Sequence, residues 1–228
     1  MRPLLIEAAV TTLDEARAAT AAGAERLELC SVLEVGGVTP PVETLLQIRD
    51  SVALPVWVLV RPRAGDFVYS SAEFDILKRD AAKFIENGAA GIVVGVLNAD
   101  RTIDRERSAE LAALAERRVV FHRAFDELAD RLGALEQLIE LGYCRVLTSG
   151  GAATALDGVE AIAELVRIAA GRIDVLPGGG ISPANAVEIV RRTGCTQFHG
   201  SFRGGKPSTD PEQIREVKSL LSRLADRG

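Results

Sequence analysis

Two histidines are the residues of this chain best suited to moving protons near neutral pH. His122 follows the apolar residues 119–121, and His199 closes the apolar run 196–199. Histidine titrates close to neutrality, so it can serve as a general acid, a general base or a metal ligand. Acid–base chemistry also needs a second group that takes up the proton, and Glu7, at the end of the first strand, is the candidate. The sequence therefore suggests Glu7 and His122 as a catalytic acid–base pair.

Arginines and glycines in the same kind of position indicate an anionic ligand. Arg61 and Arg63 stand two residues apart, and in an extended chain they would project the same way and grip a carboxylate or phosphate. A salt bridge to Glu28 or Asp66 is the structural alternative. Glycine-rich turns at 149–151, 177–180 and 199–201 would bring backbone N–H groups close to an anion, unless they only serve tight turns. The candidate ligand-binding residues are Arg26, Glu28, Arg61, Arg63, Asp66, Arg123, Ser149, Gly179, Gly180 and Ser201.

Charged residues alternate with leucines along the second apolar run. Arg26, Glu28 and Cys30 share one face of the expected strand. Leu27 and Leu29 share the other face, which must pack on helices. The charged face then points towards the interior, where ionised groups are costly unless they are paired. Arg26 and Glu28 form either a structural ion-pair network or the polar floor of a pocket.

A metal site has fewer candidate ligands. Cu(I) prefers thiolate and thioether ligands, and the chain has three cysteines and one methionine, Met1. Cys30 lies at the end of an apolar run, whereas Cys144 and Cys195 precede theirs. Cys30 and His199 are therefore the candidate metal ligands. The alternative is that Cys30 is a small buried apolar side chain.

These residues come together if the chain repeats one unit of strand and helix. Eight short apolar runs alternate with helical patterns, roughly one unit every 28 residues. Helix starts are indicated by the capping-box spacing of Ser70 and Glu73 and by Ser182 before Pro183. The apolar runs span residues 4–9, 26–30, 56–60, 91–96, 119–121, 145–148, 173–176 and 196–199.

The repeat predicts an α/β protein that is a single (β/α)8 TIM barrel, with a parallel eight-stranded core, over residues 1–228. A doubly wound open sheet would favour a G-x-G-x-x-G turn after the first strand, and residues 9–12 contain no glycine. Functional side chains of such barrels lie at the C-terminal ends of the strands. Most of the candidate residues fall there.

The composition argues against several other classes of protein. The chain is 47% hydrophobic and 26% charged, with a net charge of −5, so neither disorder nor binding to nucleic acid or an anionic membrane is expected. It has no run of about 18 apolar residues, and its first apolar run is too short for a signal sequence. The scattered cysteines fit reduced thiols, so we expect a cytoplasmic location.

Six motifs follow one another along the chain: residues 28–30 (ELC), 36–40 (GGVTP), 61–67 (RPRAGDF), 121–126 (FHRAFD), 147–151 (LTSGG) and 177–180 (PGGG). In these motifs the chain resembles the CutC family over about its whole length. The resemblance implies a (β/α)8 barrel, a cytoplasmic role in copper homeostasis, and a homodimer or higher homo-oligomer. This chain departs from the family pattern at Ala8 and Ala9, which replace the Val-Cys that often follows the glutamate. A second thiol near Cys30 is thereby missing.

Two functional hypotheses follow. The resemblance implies a copper-handling protein that binds or traffics Cu(I), with Cys30 as its ligand. The residue chemistry favours a TIM-barrel enzyme, of a reaction left open, that acts on a small anionic substrate such as a phosphorylated one. The expected partners are therefore copper or a small anion and further copies of the chain, and no organic cofactor is implied.

Overall fold

The computed structural model describes residues 4–225, which form eight strands that alternate with eight α-helices. The strands are β1 (Leu5–Val10), β2 (Arg26–Leu29), β3 (Val56–Leu59), β4 (Gly91–Val94), β5 (Val119–Phe121), β6 (Arg145–Thr148), β7 (Asp174–Pro177) and β8 (Gln197–Gly200). The helices are α1 (Leu13–Ala22), α2 (Val42–Arg49), α3 (Ser71–Glu86), α4 (Arg105–Leu114), α5 (Arg131–Leu141), α6 (Val159–Ala169), α7 (Ala186–Thr193) and α8 (Pro211–Ala225). This alternation confirms the predicted (β/α)8 barrel.

The strands run parallel in the order β7-β6-β5-β4-β3-β2-β1-β8. The two ends of that order, β7 and β8, lie side by side and nearly close the barrel. Pairing across β1 sets Glu7 opposite Arg26 on β2 and opposite His199 on β8. Because every strand points the same way, the loops that follow the strands meet at one face, where barrel sites are built.

Apolar side chains form two layers, one outside the strands and one inside the barrel. Leu27 and Leu29 belong to the outer layer, which packs against the helices. Cys30 belongs to the inner layer, and Arg26 and Glu28 are buried on the same side of β2. The predicted alternation of β2 is therefore confirmed. The inner layer consists of Cys30, Trp57, Leu59, Val93, Val120, Leu147 and Leu176.

Local hydrogen bonds decide where the helices begin. Ser70 and Glu73 form the predicted capping box at the start of α3. The predicted start after Ser182 is wrong, because α7 begins at Ala186. The Asn185 Oδ1 atom accepts the Ser182 N–H at 2.9 Å and holds the intervening residues in a turn. Between residues 4 and 225 we find no helix that combines the length and the apolar character needed to cross a bilayer.

Candidate functional site

A polar cluster lies inside the barrel where β8, β1 and β2 are neighbours. Glu7 is in the middle of β1 rather than at its end as expected, and it is buried. Arg26 Nε donates to one oxygen of the Glu7 carboxylate, and His199 Nδ1 lies 2.8 Å from the other. Glu28 Oε2 is 3.9 Å from that histidine nitrogen. The strand register thus joins two carboxyls, an arginine and a histidine in one buried group.

The two carboxyls of the cluster take different protonation states. Burial raises the pKa of Glu7, but the Arg26 charge and the His199 hydrogen bond outweigh burial and lower this pKa to about 2. Burial raises the pKa of Glu28 to about 7, with the His199 charge opposing the rise and the Glu7 charge adding to it. Burial lowers the pKa of His199, but the two carboxylates outweigh burial and raise it above its ordinary value. Glu28 is therefore the member that can gain or lose a proton near neutral pH.

A pocket of about 640 Å³ opens at the C-terminal ends of the strands. Glu28 and His199 line it, whereas Glu7 and Arg26 lie behind them and do not. The predicted residues that line the pocket are Glu28, Arg61, His122, Arg123, Gly179, Gly180, His199 and Ser201. Most of the sequence-predicted residues therefore belong to one site.

His122 follows β5 on another wall of the pocket. Its Nδ1 atom accepts a hydrogen bond from the Ala124 N–H at 3.1 Å, and its ring lies 4.8 Å from the Phe67 ring. Burial, and then the nearby Arg61 charge, lower the pKa of His122 to about 3. The imidazole is therefore neutral at ordinary pH.

The predicted pairing of Glu7 with His122 does not form. The Glu7 carboxylate is held by Arg26 and His199, and β5, which precedes His122, is four strands away from β1 in the sheet order. The structure thus pairs Glu7 with the other histidine, because β8 closes the barrel against β1.

The predicted fork of Arg61 and Arg63 does not form either. β3 ends at Leu59 and the chain bends at residues 62–65, so the alternation of an extended strand no longer applies. Arg63 does not line the pocket and instead forms ion pairs with Asp66 and Glu73. Arg61 lines the pocket and donates to three backbone carbonyls. Within residues 4–225 no carboxylate forms a salt bridge with Arg61.

Arg123 and the loop after β6 are joined through Asp126. The Asp126 carboxylate accepts hydrogen bonds from Arg123 Nε at 2.8 Å, from the Ser149 N–H at 3.0 Å and from the Gly151 N–H at 3.0 Å. Arg123 also donates to the Ser149 hydroxyl at 2.8 Å. The Ser149 and Gly151 N–H groups of this turn are therefore used on Asp126, and Arg123 and Asp126 are the members of this group that line the pocket.

The glycine turn after β7 is arranged differently. Gly179 and Gly180 have φ values of 99° and 78°, which only glycine adopts without strain. In the described part of the chain no acceptor takes the N–H of either residue. Both line the pocket beside Ser201. Because α7 begins only at Ala186, the turn itself, and not a helix N-terminus, carries the donors that suit an anion.

Arg203 is a pocket residue that the sequence did not indicate. It follows β8 by three residues, lines the pocket, and pairs with Glu15 at 3.0 Å and with Glu34 at 3.6 Å. Its position shortly after a strand places Arg203 at the functional end of the barrel. A loop has no periodicity, so the sequence does not show whether the Arg203 side chain points into the pocket.

Cys30 is buried as a thiol. Its Sγ donates to the Val10 carbonyl at 3.8 Å, and burial raises its pKa well above the ordinary range. Cu(I) binds thiolate, so this environment opposes Cu(I) binding at Cys30. Cys144 and Cys195 precede β6 and β8, at the opposite end of the barrel.

Within residues 4–225, the possible ligand atoms that do lie close together belong to Glu7, Glu28 and His199. Their atoms fall within 4.8 Å of one another, so His199 belongs to a different group from the predicted one with Cys30. Two carboxylates and an imidazole suit harder cations than Cu(I). Arg26 already holds the Glu7 carboxylate, and its positive charge opposes any cation there.

Comparisons with known proteins agree on one family. The sequence profile of the CutC family matches residues 4–204. A CutC family protein of Treponema denticola is 46% identical, with 92% of this chain and 86% of that protein covered. A human relative named copper homeostasis protein cutC homolog is 44% identical, with 90% of this chain and 75% of that protein covered.

Comparison with solved structures also finds the CutC family. The crystal structure of the CutC protein of Streptococcus agalactiae superposes with a TM-score of 0.82 at 32% identity, covering 87% of this chain and 98% of that one. Phosphoribosylanthranilate isomerase of Pyrococcus furiosus, at 14% identity and a TM-score of 0.62, covering 96% of this chain and 99% of that one, shares the barrel fold alone. This chain therefore belongs to the CutC family.

Proposed function

We propose that the pocket at the barrel mouth binds a small anionic molecule and exchanges a proton with it through Glu28. The main support for the proposal is the state of the Glu28 carboxyl. This carboxyl is buried and lines the pocket, its pKa is raised to about 7, and its Oε2 atom has no hydrogen-bond partner within residues 4–225. General acid–base catalysis needs a group of this kind, which titrates near the working pH and faces the substrate.

The charges around the pocket favour an anion over a cation. His199, Arg123 and Arg203 line it as cations, against Asp126, Glu127 and a Glu28 that is only partly ionised at neutral pH. Arg61 adds a positive charge that forms no salt bridge with any described carboxylate. A net positive pocket of low dielectric attracts carboxylates and phosphates and repels metal ions.

Two matched arginine variants test ligand binding. We would titrate inorganic phosphate and a panel of phosphorylated and carboxylated metabolites into the wild type, Arg123→Gln and Arg63→Gln. Arg123 lines the pocket and Arg63 does not, so Arg123→Gln is expected to weaken binding about tenfold, the worth of one charged hydrogen bond. Arg63→Gln should bind as the wild type does. No binding by the wild type, or equal loss in both variants, would overturn the proposal.

A second function, in copper homeostasis, is supported by the names of the human and mouse relatives. We extend that role to this chain at the level of the family. Direct capture of Cu(I) is the step that the residues support least, because Cys30 is a single protonated thiol. Competition for Cu(I) between the reduced protein and a strong chelator tests that step.

Location and assembly are further parts of the proposal. The three free cysteines suit a reducing compartment such as the cytoplasm. The family resemblance implies a homodimer or higher homo-oligomer. Sedimentation velocity tests the assembly, and a single species of monomer mass across concentrations would contradict it.

A further inference from the structure

The His122 ring is held in one orientation by groups on several sides. Gly95, directly after β4, leaves room for it, since a Cβ there would lie 2.5 Å from the imidazole Cε1 and 2.6 Å from Nδ1. The Phe67 ring lies 4.8 Å away between centroids. The Ala124 N–H donates to Nδ1 at 3.1 Å. Turning the ring would break this hydrogen bond.

The same hydrogen bond fixes the position of the ring proton. An N–H group can donate only to a nitrogen that carries a lone pair, so Nδ1 is unprotonated and the proton is on Nε2. The Arg61 guanidinium stacks on Phe67 at 4.7 Å from its centroid, and its charge opposes a second proton on the ring. Burial and that charge hold the pKa of His122 near 3.

The Nε2–H group is therefore a buried donor on a side chain that lines the pocket. His122 lines the pocket and is 5% exposed, and its Nε2 atom has no partner in the part of the chain that the structure describes. Buried donors in native proteins are nearly always paired with protein, water or ligand. An oriented donor in a ligand pocket marks where an acceptor of the ligand belongs.

We propose that His122 donates a hydrogen bond from Nε2–H to a carbonyl or carboxyl oxygen of the ligand and so selects molecules that carry such an oxygen. This inference rests on the proposed function, because it names the ligand class of the same pocket. His122 is then a binding residue that keeps its proton, and Glu28 is the group that exchanges one. A neutral donor binds an oxygen more tightly as negative charge builds up on it, so the same contact would favour proton removal next to a carbonyl.

The wild type alone tests the state of the ring. The chain has only two histidines, so ¹⁵N-histidine labelling gives two sets of imidazole signals, assigned with His122→Gln. We expect the His122 set to show the Nε2–H tautomer without titration between about pH 5.5 and 8.5. A protonated His122 ring, or an Nδ1–H tautomer, would overturn the inference.

A pair of probes tests the acceptor. Dihydroxyacetone phosphate and glycerol 3-phosphate carry the same anion and differ in a carbonyl against a hydroxyl. We expect the carbonyl probe to shift the His122 Nε2 signal and to bind about tenfold more tightly, the worth of one hydrogen bond. His122→Gln, whose amide can still donate, should keep the preference, and His122→Phe should lose it.

The outcomes separate this inference from the proposed function. If neither probe binds, and no anion of the panel binds either, the proposed function is overturned, and the ligand class with it. If both bind and perturb His199 but the preference is absent, or persists in His122→Phe, only this inference is overturned. Should His122→Phe fail to fold, the wild-type shift of Nε2 on addition of each probe decides the question.

Discussion

The Nδ1 atom of His199 stands 3.9 Å from Oε2 of Glu28, within the range of charge attraction but beyond hydrogen-bonding distance. Glu7 takes the hydrogen bond of that nitrogen at 2.8 Å. The positive charge of His199 therefore attracts Glu28, but Glu28 Oε2 forms no hydrogen bond with His199. That arrangement leaves Glu28 Oε2 available to a ligand, with a proton affinity set by the cluster behind it.

Glu28→Gln should change stability in a pH-dependent way. The folded-state pKa of about 7 is above the ordinary 4.5, so the fold prefers the protonated carboxyl. The Glu28 carboxyl contributes its full stabilisation of the fold below about pH 4.5, and this stabilisation is lost as the pH rises through 7. We expect Glu28→Gln to gain on the order of 2 kcal/mol in free energy of unfolding, relative to the wild type, between about pH 5 and 8.5. Urea unfolding at both pH values measures this. An equal difference at the two pH values would show that Glu28 titrates normally.

The barrel could be predicted because its strands leave a periodic signal. The inward direction of Arg26 and Glu28 followed from the period of two along β2. The partner of Glu7 could not be predicted, since it depends on β8 closing against β1, with His199 192 residues away along the chain. The predicted direction of Arg63 is wrong because β3 ends at Leu59. Beyond the strand, periodicity gives no information about the direction of a side chain in a bend.

Glu7→Gln should destabilise the fold strongly. The variant removes the carboxylate that accepts from Arg26 Nε. Arg26 is buried, and its Nη2 atom has no hydrogen-bond partner among the described residues. Breaking a buried ion pair from one side costs about 3–5 kcal/mol, because the remaining charge stays desolvated. Urea unfolding at neutral pH measures the loss. As a control, Glu73→Gln breaks the half-buried pair with Arg63 and should cost much less.

The double variant Glu7→Gln with Arg26→Met separates an unpaired charge from general damage to the core. Removing both partners deletes the Arg26 charge that Glu7→Gln leaves unpaired, so much of the lost free energy of unfolding should return. A double variant no more stable than Glu7→Gln alone would show that packing, and not charge, dominates at this position.

Cys30→Ser should leave Cu(I) affinity unchanged. The thiol of Cys30 donates to a carbonyl and its pKa is raised by burial, so little thiolate is available to the metal. We expect weak Cu(I) binding by the reduced wild type in competition with a strong chelator, and the same in the variant. Tight one-to-one binding that disappears in Cys30→Ser would instead assign Cu(I) to this residue and make direct copper capture the function.

Gly95→Ala should displace the His122 ring and weaken ligand binding. A Cβ at Gly95 would lie 2.5 Å from the imidazole Cε1, closer than packed atoms allow, so the ring must move or the strand must shift. Overpacking of this kind costs about 1–3 kcal/mol. The measurements are the free energy of unfolding and the ¹⁵N signal of His122 Nε2.

Gly194→Ala is the control for Gly95→Ala, because a Cβ at Gly194 would meet nothing within 4 Å and only the φ of 69° is strained there. That control should lose about 1–2 kcal/mol without moving the His122 signal. An unmoved signal in Gly95→Ala would show that the ring is not seated against this glycine, and the orientation of its donor would then lose one of its supports.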